Sequence, residues 1–202
     1  MLGVDLGISN VATDSAGQRF TGDAIRNKRS RAVARRAALQ RVGTRSAKRR
    51  LQKMRRRERR WMKHVNHTIS KALVAKAAVS RKALALEDLT GIREGGITVR
   101  REQRYERHAW AFSQLRLFLT YKAAWAGVPV FLVDPAYTSQ TCSRCGYCDP
   151  KNRQSQSSFV CRRCGFSVHA DSNAACMIAQ AGRQAAYGSN GTSLATSPRL
   201  KA

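Results

Sequence analysis

Residues 3–8, with the sequence GVDLGI, place a carboxylate in the middle of an apolar run. They open residues 3–14, which we predict to be a β-strand and its continuation. A turn at residues 15–17 and a returning strand over residues 18–22 follow. A charge inside a first strand is costly unless it is paired or binds a metal ion. Asp5 is therefore a candidate metal ligand.

Two further carboxylates lie at the ends of predicted elements. Acidic residues number only 12 of 202, so their positions carry information. Residues 83–89 are predicted to be a strand buried on both faces, and within them Glu87 ends the apolar run ALAL. Asp171 opens the last predicted helix. Carboxylates on two strand ends and one helix start can converge at a sheet edge. Such a site suits Mg²⁺ or Mn²⁺ and metal-dependent cleavage of phosphodiesters.

Most of these acidic residues also have simpler explanations. Asp171 can be a helix N-cap. Glu87 can be a surface charge at a strand end, with Asp88 in its place, because side-chain alternation does not choose between the two. Asp134 follows another predicted strand, but a proline comes next, so we assign it a role in starting a turn.

The most specific local motif is a pair of C-x-x-C-G sequences separated by 15 residues. Two residues between cysteines let both thiolates of a tight turn point at one ion, and the glycine lets the backbone close that turn. Four thiolates complete a tetrahedral site without an open position, which predicts structural Zn²⁺ rather than catalytic Zn²⁺. The predicted ligands are Cys142, Cys145, Cys161 and Cys164. Disulfides or free thiols are the alternative, and we expect the nearby Cys148 to be a free thiol.

The charge balance predicts a polyanionic partner. Lys and Arg outnumber Asp and Glu by 38 to 12, and the formal net charge is +26. Such a charge destabilises a compact chain through self-repulsion unless a polyanion accompanies it, and nucleic acid is the default polyanion. No apolar run reaches 18 residues, which argues against a membrane span, and no secretory signal is recognisable. We therefore expect a cytoplasmic protein, in which clustered cysteines indicate metal binding.

A basic helical hairpin is predicted over residues 26–73. Residues 26–60 hold 17 Lys or Arg among 35 residues, opposed only by Glu58. Gly43 interrupts the helical pattern, and Thr44 or Ser46 can cap the second helix. Cations on such a hairpin neutralise phosphates without reading base sequence. The predicted nucleic-acid contacts, including three from the cysteine motifs, are Arg35, Arg36, Arg45, Lys48, Arg49, Arg50, Arg55, Arg56, Arg57, Arg59, Arg60, Arg144, Arg162 and Arg163.

The second helix also carries an apolar stripe. Its members recur at steps of three and four residues, which predicts one buried face: Leu51, Met54, Trp61, Val65 and Ile69. Arginines surround Trp61, so base stacking is the alternative to our assignment of Trp61 to the core.

These motifs, in this order, resemble the TnpB family, the OrfB products of insertion sequences related to compact type V CRISPR nucleases. Residues 3–8 with 12–17 resemble the first RuvC motif of that family, residues 86–89 the second and residues 171–175 the third. Residues 66–71, 121–123 and 137–139 also fit the family, and the cysteine-rich insert lies in the expected place.

The resemblance implies an α/β, RNase H-like (RuvC) fold with an inserted four-cysteine zinc ribbon. It implies a metal-binding triad of Asp5, Glu87 and Asp171, and it favours Glu87 over Asp88. It further implies a transposon-encoded, RNA-guided DNA endonuclease that uses Mg²⁺, with DNA and a guide RNA as partners. Full-length members carry a recognition lobe before the first motif, whereas here Met1 lies four residues before Asp5. A truncated gene, an alternative start and an excerpt all stay open.

The expected organisation follows from these assignments. Residues 1–137 form the nuclease core with its basic insert, residues 138–168 the zinc ribbon and residues 169–182 the third motif and final helix. Residues 183–202 are expected to be a disordered tail, and residues 91–107 a mobile loop. The remaining predicted elements are a helix over residues 110–125 ending at Gly127, a strand over residues 128–133 and a helix over residues 173–181.

Two other functions compete with a nuclease. A transposon remnant or regulator can hold nucleic acid through the basic helices and the ribbon without cutting it. A basic ribosomal-type zinc-ribbon protein fits the charge but leaves the three carboxylates unexplained.

Overall fold

The computed structural model of the chain describes residues 1–7, 9–88 and 112–188. Its centre is a mixed five-stranded sheet with the strand order β3-β2-β1-β4-β5. The strands are β1 (Leu2–Asp5), β2 (Asn10–Asp14), β3 (Arg19–Thr21), β4 (Leu84–Glu87) and β5 (Val130–Val133). β1 is antiparallel to β2 and parallel to β4, and β4 is parallel to β5. The prediction of a mixed α/β domain is confirmed.

The predicted continuation of the first strand is a separate strand that runs back beside it. Val4 lies opposite Asp14, and Asp5 lies opposite Thr13. The reversal buries both apolar runs in one sheet, which a single extended strand would not do. The predicted turn after Asp14 is present, because the Asp14 carboxylate accepts hydrogen bonds from the backbone N–H groups of Ala16 and Gln18.

A helical hairpin follows, made of α1 (Asp23–Val42) and α2 (Arg45–Val79). Gly43 ends α1 in the left-handed region with φ of 68°, a conformation that glycine adopts without strain. Thr44 caps α2 by accepting a 3.3 Å hydrogen bond from the Ala47 N–H. The predicted interruption is confirmed, with Thr44 rather than Ser46 as the cap, and α2 extends six residues past the predicted end.

The apolar stripe of α2 reaches the core at its C-terminal end only. Ile69 is buried, and Trp61 and Val65 are half-buried against the main core. Leu51 and Met54 are half-buried but lie outside that core, so the prediction of one continuous buried stripe was wrong for the first half of the helix. Trp61 belongs to the core as predicted, and the Lys28 ammonium lies 4.0 Å from its ring centroid.

Two more helices of the described residues pack against the hairpin and the sheet. α3 (Phe112–Trp125) packs against α2, and Gly127 follows its end with φ of 65°. α4 (Ala170–Gly188) crosses the sheet so closely that a Cβ atom on Gly3 would lie 2.1 Å from the Ala175 carbonyl oxygen.

α4 is longer than predicted at both ends. We expected the helix to cover residues 173–181 and to be followed by a disordered tail, but residues 170–172 and 182–188 are helical as well. The burial of Gly182 against the sheet, beside Ala85, explains why the helix continues past Ala181. The rest of the predicted tail, the predicted loop over residues 91–107 and the start of the predicted helix at residue 110 lie outside the described residues.

The cysteine-rich insert lies between β5 and α4. It contains a 3₁₀ turn (Pro150–Asn152) and a small antiparallel sheet of β6 (Ser158–Val160) and β7 (Ser167–His169). Within the described ranges no helix is long and apolar enough to cross a membrane.

Candidate metal centres and nucleic-acid interface

The parallel pairing of β1 with β4 brings two of the predicted carboxylates side by side. Val4 pairs with Leu86, so the next residues, Asp5 and Glu87, end neighbouring strands in the same register. Adjacent strands lie about 4.8 Å apart, and residues in register point to the same face of a sheet. Both side chains therefore reach the face that α4 covers at the carboxyl ends of the strands.

The third predicted carboxylate lies on the helix that packs against these two strands. Asp171 is the second residue of α4, which packs across β1 and β4. Burial raises the pKa of Asp5 to about 8, and the nearby charges of Glu87 and Asp171 add to the rise, while Arg153 opposes it. Burial also raises the pKa of Glu87. The three carboxylates thus interact electrostatically, which makes the site attractive to a cation.

Neighbouring side chains hold two of these carboxylates in place. Asn10 Nδ2 donates a 2.8 Å hydrogen bond to Asp171 Oδ2, and the Arg153 guanidinium lies 3.6 Å from Asp171 Oδ1. The Thr138 hydroxyl donates a buried 2.6 Å hydrogen bond to Glu87 Oε1. Each contact orients one oxygen of a carboxylate.

The simpler explanations of the acidic residues can now be compared with the structure. Asp88 follows the strand end and forms a 2.7 Å ion pair with Arg116, whereas Glu87 lies beside Asp5. Asp171 lies within the first turn of α4 rather than before it, and its carboxylate accepts from Asn10. Asp134 accepts a 2.8 Å hydrogen bond from the Ala136 N–H, which confirms its predicted role in a turn.

Within the described residues, the three carboxylates do not form a ligand cluster of the kind that the four cysteines form. Among the described residues, the four cysteines are the one group of three or more metal-ligand side chains whose ligand atoms all lie within 4.8 Å of one another. Hard divalent cations prefer oxygen ligands, so it is the chemistry of the carboxylates, and not a closed ligand geometry, that suits Mg²⁺ or Mn²⁺.

The four predicted zinc ligands converge on one point. Cys142 Sγ lies 3.8 Å from Cys164 Sγ, and Cys145 Sγ lies 3.5 Å from Cys161 Sγ. A tetrahedral site with Zn–S bonds of about 2.3 Å has sulfur–sulfur edges of about 3.8 Å. The cluster therefore has the size that Zn²⁺ requires. Cys148 is exposed and lies outside it.

Both cysteine pairs form the same turn. The N–H of Gly146 donates to the Cys142 carbonyl, and the N–H of Gly165 donates to the Cys161 carbonyl. Both glycines adopt φ near 70°, in the left-handed region, as the turns were predicted to need. Phe159 is fully buried and shares a hydrophobic cluster with Cys142 and Cys161.

The predicted phosphate contacts are surface cations. All of them are exposed except Arg36, which is half-buried in an ion pair with Glu58. Between α1 and α2 lies an open cleft of about 770 Å³ that is lined by apolar and cationic side chains. Its lining residues are Arg35, Ala38, Leu39, Arg49, Arg50, Lys53, Met54 and Arg57. The absence of an acidic side chain from this lining suits a phosphate backbone.

The sequence reasoning missed the residues that hold the carboxylates. Asn10 and Arg153 carried no recognised signal, and Thr138 was noted only within a family motif. Each contact joins residues at least 18 positions apart, so no local spacing rule predicts it. The sequence offered one weak signal, which is that Asn10 is a polar residue only five positions after the candidate ligand Asp5. That signal did not identify Asp171 as its partner.

Comparison with known proteins gives consistent matches. A family model described as the TNB domain of Cas12f1-like proteins matches residues 112–178. The CRISPR-associated endodeoxyribonuclease Cas12f1 of Sulfoacidibacillus thermotolerans is 33% identical over 197 residues, covering 89% of this chain and 45% of that protein. A TnpB-like protein of Methanocaldococcus jannaschii is 35% identical over 116 residues, covering 57% of this chain and 41% of that protein.

A solved structure has the same fold over most of the chain. The cryo-EM structure of a Cas12f1–sgRNA–target DNA complex aligns with a TM-score of 0.70 and 17% identity, covering 88% of this chain and 49% of that one. The chain spans about half the length of the curated relatives that it matches, or less.

Proposed function

We propose that this chain belongs to the TnpB-like family and is the nuclease core of a transposon-encoded, RNA-guided DNA endonuclease, because it is similar to Cas12f1 and TnpB-like proteins over about half of their length or less. One observation carries the proposal. Asp5 and Glu87 end adjacent parallel strands in register, and Asp171 lies close enough to raise the pKa of Asp5. In a chain with a net charge of +26, three interacting carboxylates at one sheet edge have a clear use as ligands of divalent cations.

The assigned fold is RNase H-like, with the zinc ribbon as an insert. The sheet order and the antiparallel β2 support this assignment, as does a final helix that crosses the central strands. In this division, residues 1–137 and 169–182 make up the nuclease core and residues 138–168 the ribbon. Four converging thiolates would hold a structural Zn²⁺ ion. Such a thiolate site suits a reducing compartment, and we place the protein in the cytoplasm.

The catalytic residues of this proposal are Asp5, Glu87 and Asp171, which would hold Mg²⁺ or Mn²⁺. When bound, such ions activate a water molecule and stabilise the leaving oxygen of the phosphodiester. The protein contributes a partly enclosed group of carboxylates, two of which are oriented by Asn10 and Thr138. Arg153 projects a cation beside Asp171, where it can contact a phosphate that enters the site.

Binding of the nucleic acid is assigned to the basic surfaces. The exposed arginines of the helical hairpin and the cleft between α1 and α2 would neutralise phosphates without reading base sequence. Arg144, Arg162 and Arg163 are exposed on the ribbon. The proposed partners are target DNA and a guide RNA, by analogy with the RNA-guided relatives.

The test is cleavage of labelled single-stranded and supercoiled DNA by purified protein in Mg²⁺ or Mn²⁺, with and without transposon-end RNA. Asp171→Ala is the matched inactive variant, and its salt-dependent DNA binding should stay close to that of the wild type. Cutting by the wild type that disappears in Asp171→Ala would support the nuclease, and dependence on the RNA would support guided cleavage.

A non-cleaving regulator or remnant is the second candidate. It is favoured by the cationic lining of the cleft between α1 and α2, which can hold a phosphate backbone without any of the three carboxylates. Tight, salt-sensitive binding without cutting in any condition would support this candidate and contradict the nuclease. Loss of both binding and cutting in Asp171→Ala would contradict a purely catalytic role for Asp171.

A further inference from the structure

The last strand of the ribbon is followed directly by α4, with no residue between them. β7 ends at His169, α4 begins at Ala170, and the candidate ligand Asp171 is the next residue. Ala170 is also buried in the hydrophobic cluster of the ribbon, with Cys142, Phe159 and Cys161. The first turn of α4 therefore belongs to two units at once: its start packs in the ribbon and its second residue faces the carboxylate site.

One buried side chain joins this turn to the first cysteine pair. Asn173, 1% exposed, lies two residues after Asp171. Its Nδ2 donates a 2.7 Å hydrogen bond to the Thr141 carbonyl, and its Oδ1 accepts a 2.9 Å hydrogen bond from the Ser143 N–H. These two backbone groups flank Cys142. The nitrogen and the oxygen of the Asn173 amide thus both bond to the segment that contains Cys142, a predicted zinc ligand.

We propose that Asn173 is a positioning residue that couples the folded zinc ribbon to the carboxylate site. By fixing the first turn of α4 on the segment around Cys142, it sets where Asp171 lies relative to Asp5 and Glu87. The proposal rests on the proposed function, because it takes those carboxylates to be ligands of Mg²⁺ or Mn²⁺. Residues that orient metal ligands from behind affect metal affinity without touching the ion.

The same helix provides a matched control. Gln180 Nε2 donates a 2.7 Å hydrogen bond to the Ser143 carbonyl, so it also ties α4 to the first cysteine pair. Gln180 lies nine residues after Asp171, more than two helical turns away. Gln180→Ala therefore weakens the contact between ribbon and helix without releasing the first turn, and Asn173→Ala releases that turn.

The first experiment measures Mn²⁺ binding by electron paramagnetic resonance in zinc-loaded wild type, Asn173→Ala and Gln180→Ala. Outer contacts of metal ligands commonly change affinity about 10–100-fold. We expect a loss of about that size in Asn173→Ala and wild-type affinity in Gln180→Ala, with one zinc per chain in all three. Wild-type Mn²⁺ affinity in Asn173→Ala, or an equal loss in both variants, would overturn the proposal.

The second experiment measures the coupling itself. Zinc is removed from wild type and Asn173→Ala and then restored, and Mn²⁺ affinity is measured before and after. If zinc binding and Mn²⁺ binding are coupled, each ion raises the affinity for the other. A carboxylate site that depends on the folded ribbon should therefore gain Mn²⁺ affinity when zinc returns. We expect this gain in the wild type and not in Asn173→Ala. An equal gain in both would assign the coupling to another contact and reject Asn173.

A readout without Mn²⁺ separates this inference from the proposed function. Hydrogen exchange of the amides of residues 171–174 should slow when zinc binds to the wild type but not when it binds to Asn173→Ala. If the wild type bound no Mn²⁺, the proposed function would fail and this exchange pattern would still decide the positioning role. If it bound Mn²⁺ without cutting DNA, the coupling would stand and the nuclease assignment would fall.

Discussion

Asn10 Nδ2 donates a 2.8 Å hydrogen bond to Asp171 Oδ2, which joins residues 161 positions apart in the chain. Asn10 begins β2, five residues after Asp5 ends β1, and Asp171 lies in the first turn of α4. A neutral donor in this position orients one oxygen of the carboxylate and leaves its negative charge available to a cation.

Asn10→Ala should therefore weaken binding of Mg²⁺ at the carboxylate site. We expect cleavage at limiting Mg²⁺ to fall about tenfold or more, because ligand-orienting contacts commonly contribute that much to affinity. Cleavage should recover in part at high Mg²⁺. Asn27→Ala, an exposed change on α1, is the control. An Asn10→Ala protein with an unchanged Mg²⁺ requirement would refute this orienting role.

The hydrogen bond from Thr138 to Glu87 predicts a difference between two similar substitutions. Thr138→Val keeps the side-chain shape but removes the donor from a buried carboxylate, at a cost of about 1–3 kcal/mol. Thr138→Ser keeps the hydroxyl. We expect Thr138→Val to lower both the Tm and the apparent affinity for Mg²⁺, and Thr138→Ser to restore most of that affinity. If Thr138→Val kept wild-type Mg²⁺ affinity while Thr138→Ser lost it, the methyl contact rather than the hydrogen bond would be responsible.

The pKa of Asp5 predicts how stability depends on pH. Burial and the neighbouring carboxylates raise this pKa from its ordinary value of 3.8 to about 8. Between these values the folded chain retains a proton that the unfolded chain has released, so the free energy of unfolding falls as pH rises. In magnesium-free buffer, the Tm should fall between pH 6 and pH 8, and it should fall less in Asp5→Asn.

Mg²⁺ should reverse part of this loss. The ion binds deprotonated carboxylates, so its stabilising effect should be larger at pH 8 than at pH 6. Zinc content is measured at each pH, because loss of zinc would also lower the Tm. Equal pH slopes in wild type and Asp5→Asn would show that Asp5 does not titrate in this window.

Features encoded by local spacing could be predicted from the sequence. The cysteine pairs converge as expected because each C-x-x-C-G turn needs only adjacent residues and a glycine at positive φ. Gly43 and Thr44 separate α1 from α2 for the same local reason. The fold class followed from the order of strands and helices. The roles of Asp5, Glu87 and Asp171 stay predictions, although the structure brings these residues to one edge of the sheet.

Long-range contacts could not be predicted in this way. The antiparallel return of β2 depends on which neighbour buries its apolar side chains, and a single strand pattern does not contain that information. The ends of α4 were misjudged because the helix continues through Gly182, a residue that a local rule treats as a stop but that here permits close packing on Ala85. Arg153 reaches Asp171 from the ribbon through tertiary structure alone.

Gly3 provides a test of the packing that supports the site. A Cβ atom at this position would lie 2.1 Å from the Ala175 carbonyl oxygen and 2.4 Å from the Ala179 backbone nitrogen. Helix backbone cannot yield as a flexible side chain does, so Gly3→Ala should destabilise the fold by roughly 3 kcal/mol or more. Urea unfolding measures the change. Gly188→Ala, where a Cβ meets nothing within 4 Å, should be nearly neutral. A stable Gly3→Ala protein would contradict the close approach of α4 to β1.

The two classes of cysteine in the ribbon allow a matched test of the zinc site. Cys161 is buried in the four-sulfur cluster, whereas Cys148 is exposed and lies outside it. Cys161→Ser should lower zinc content and Tm together, because loss of one thiolate breaks a tetrahedral site that helps to fold the ribbon. Cys148→Ser should retain one zinc per chain and the wild-type Tm. An unchanged zinc content in Cys161→Ser would rule out the four-cysteine site, and zinc loss in Cys148→Ser would assign Cys148 as a ligand.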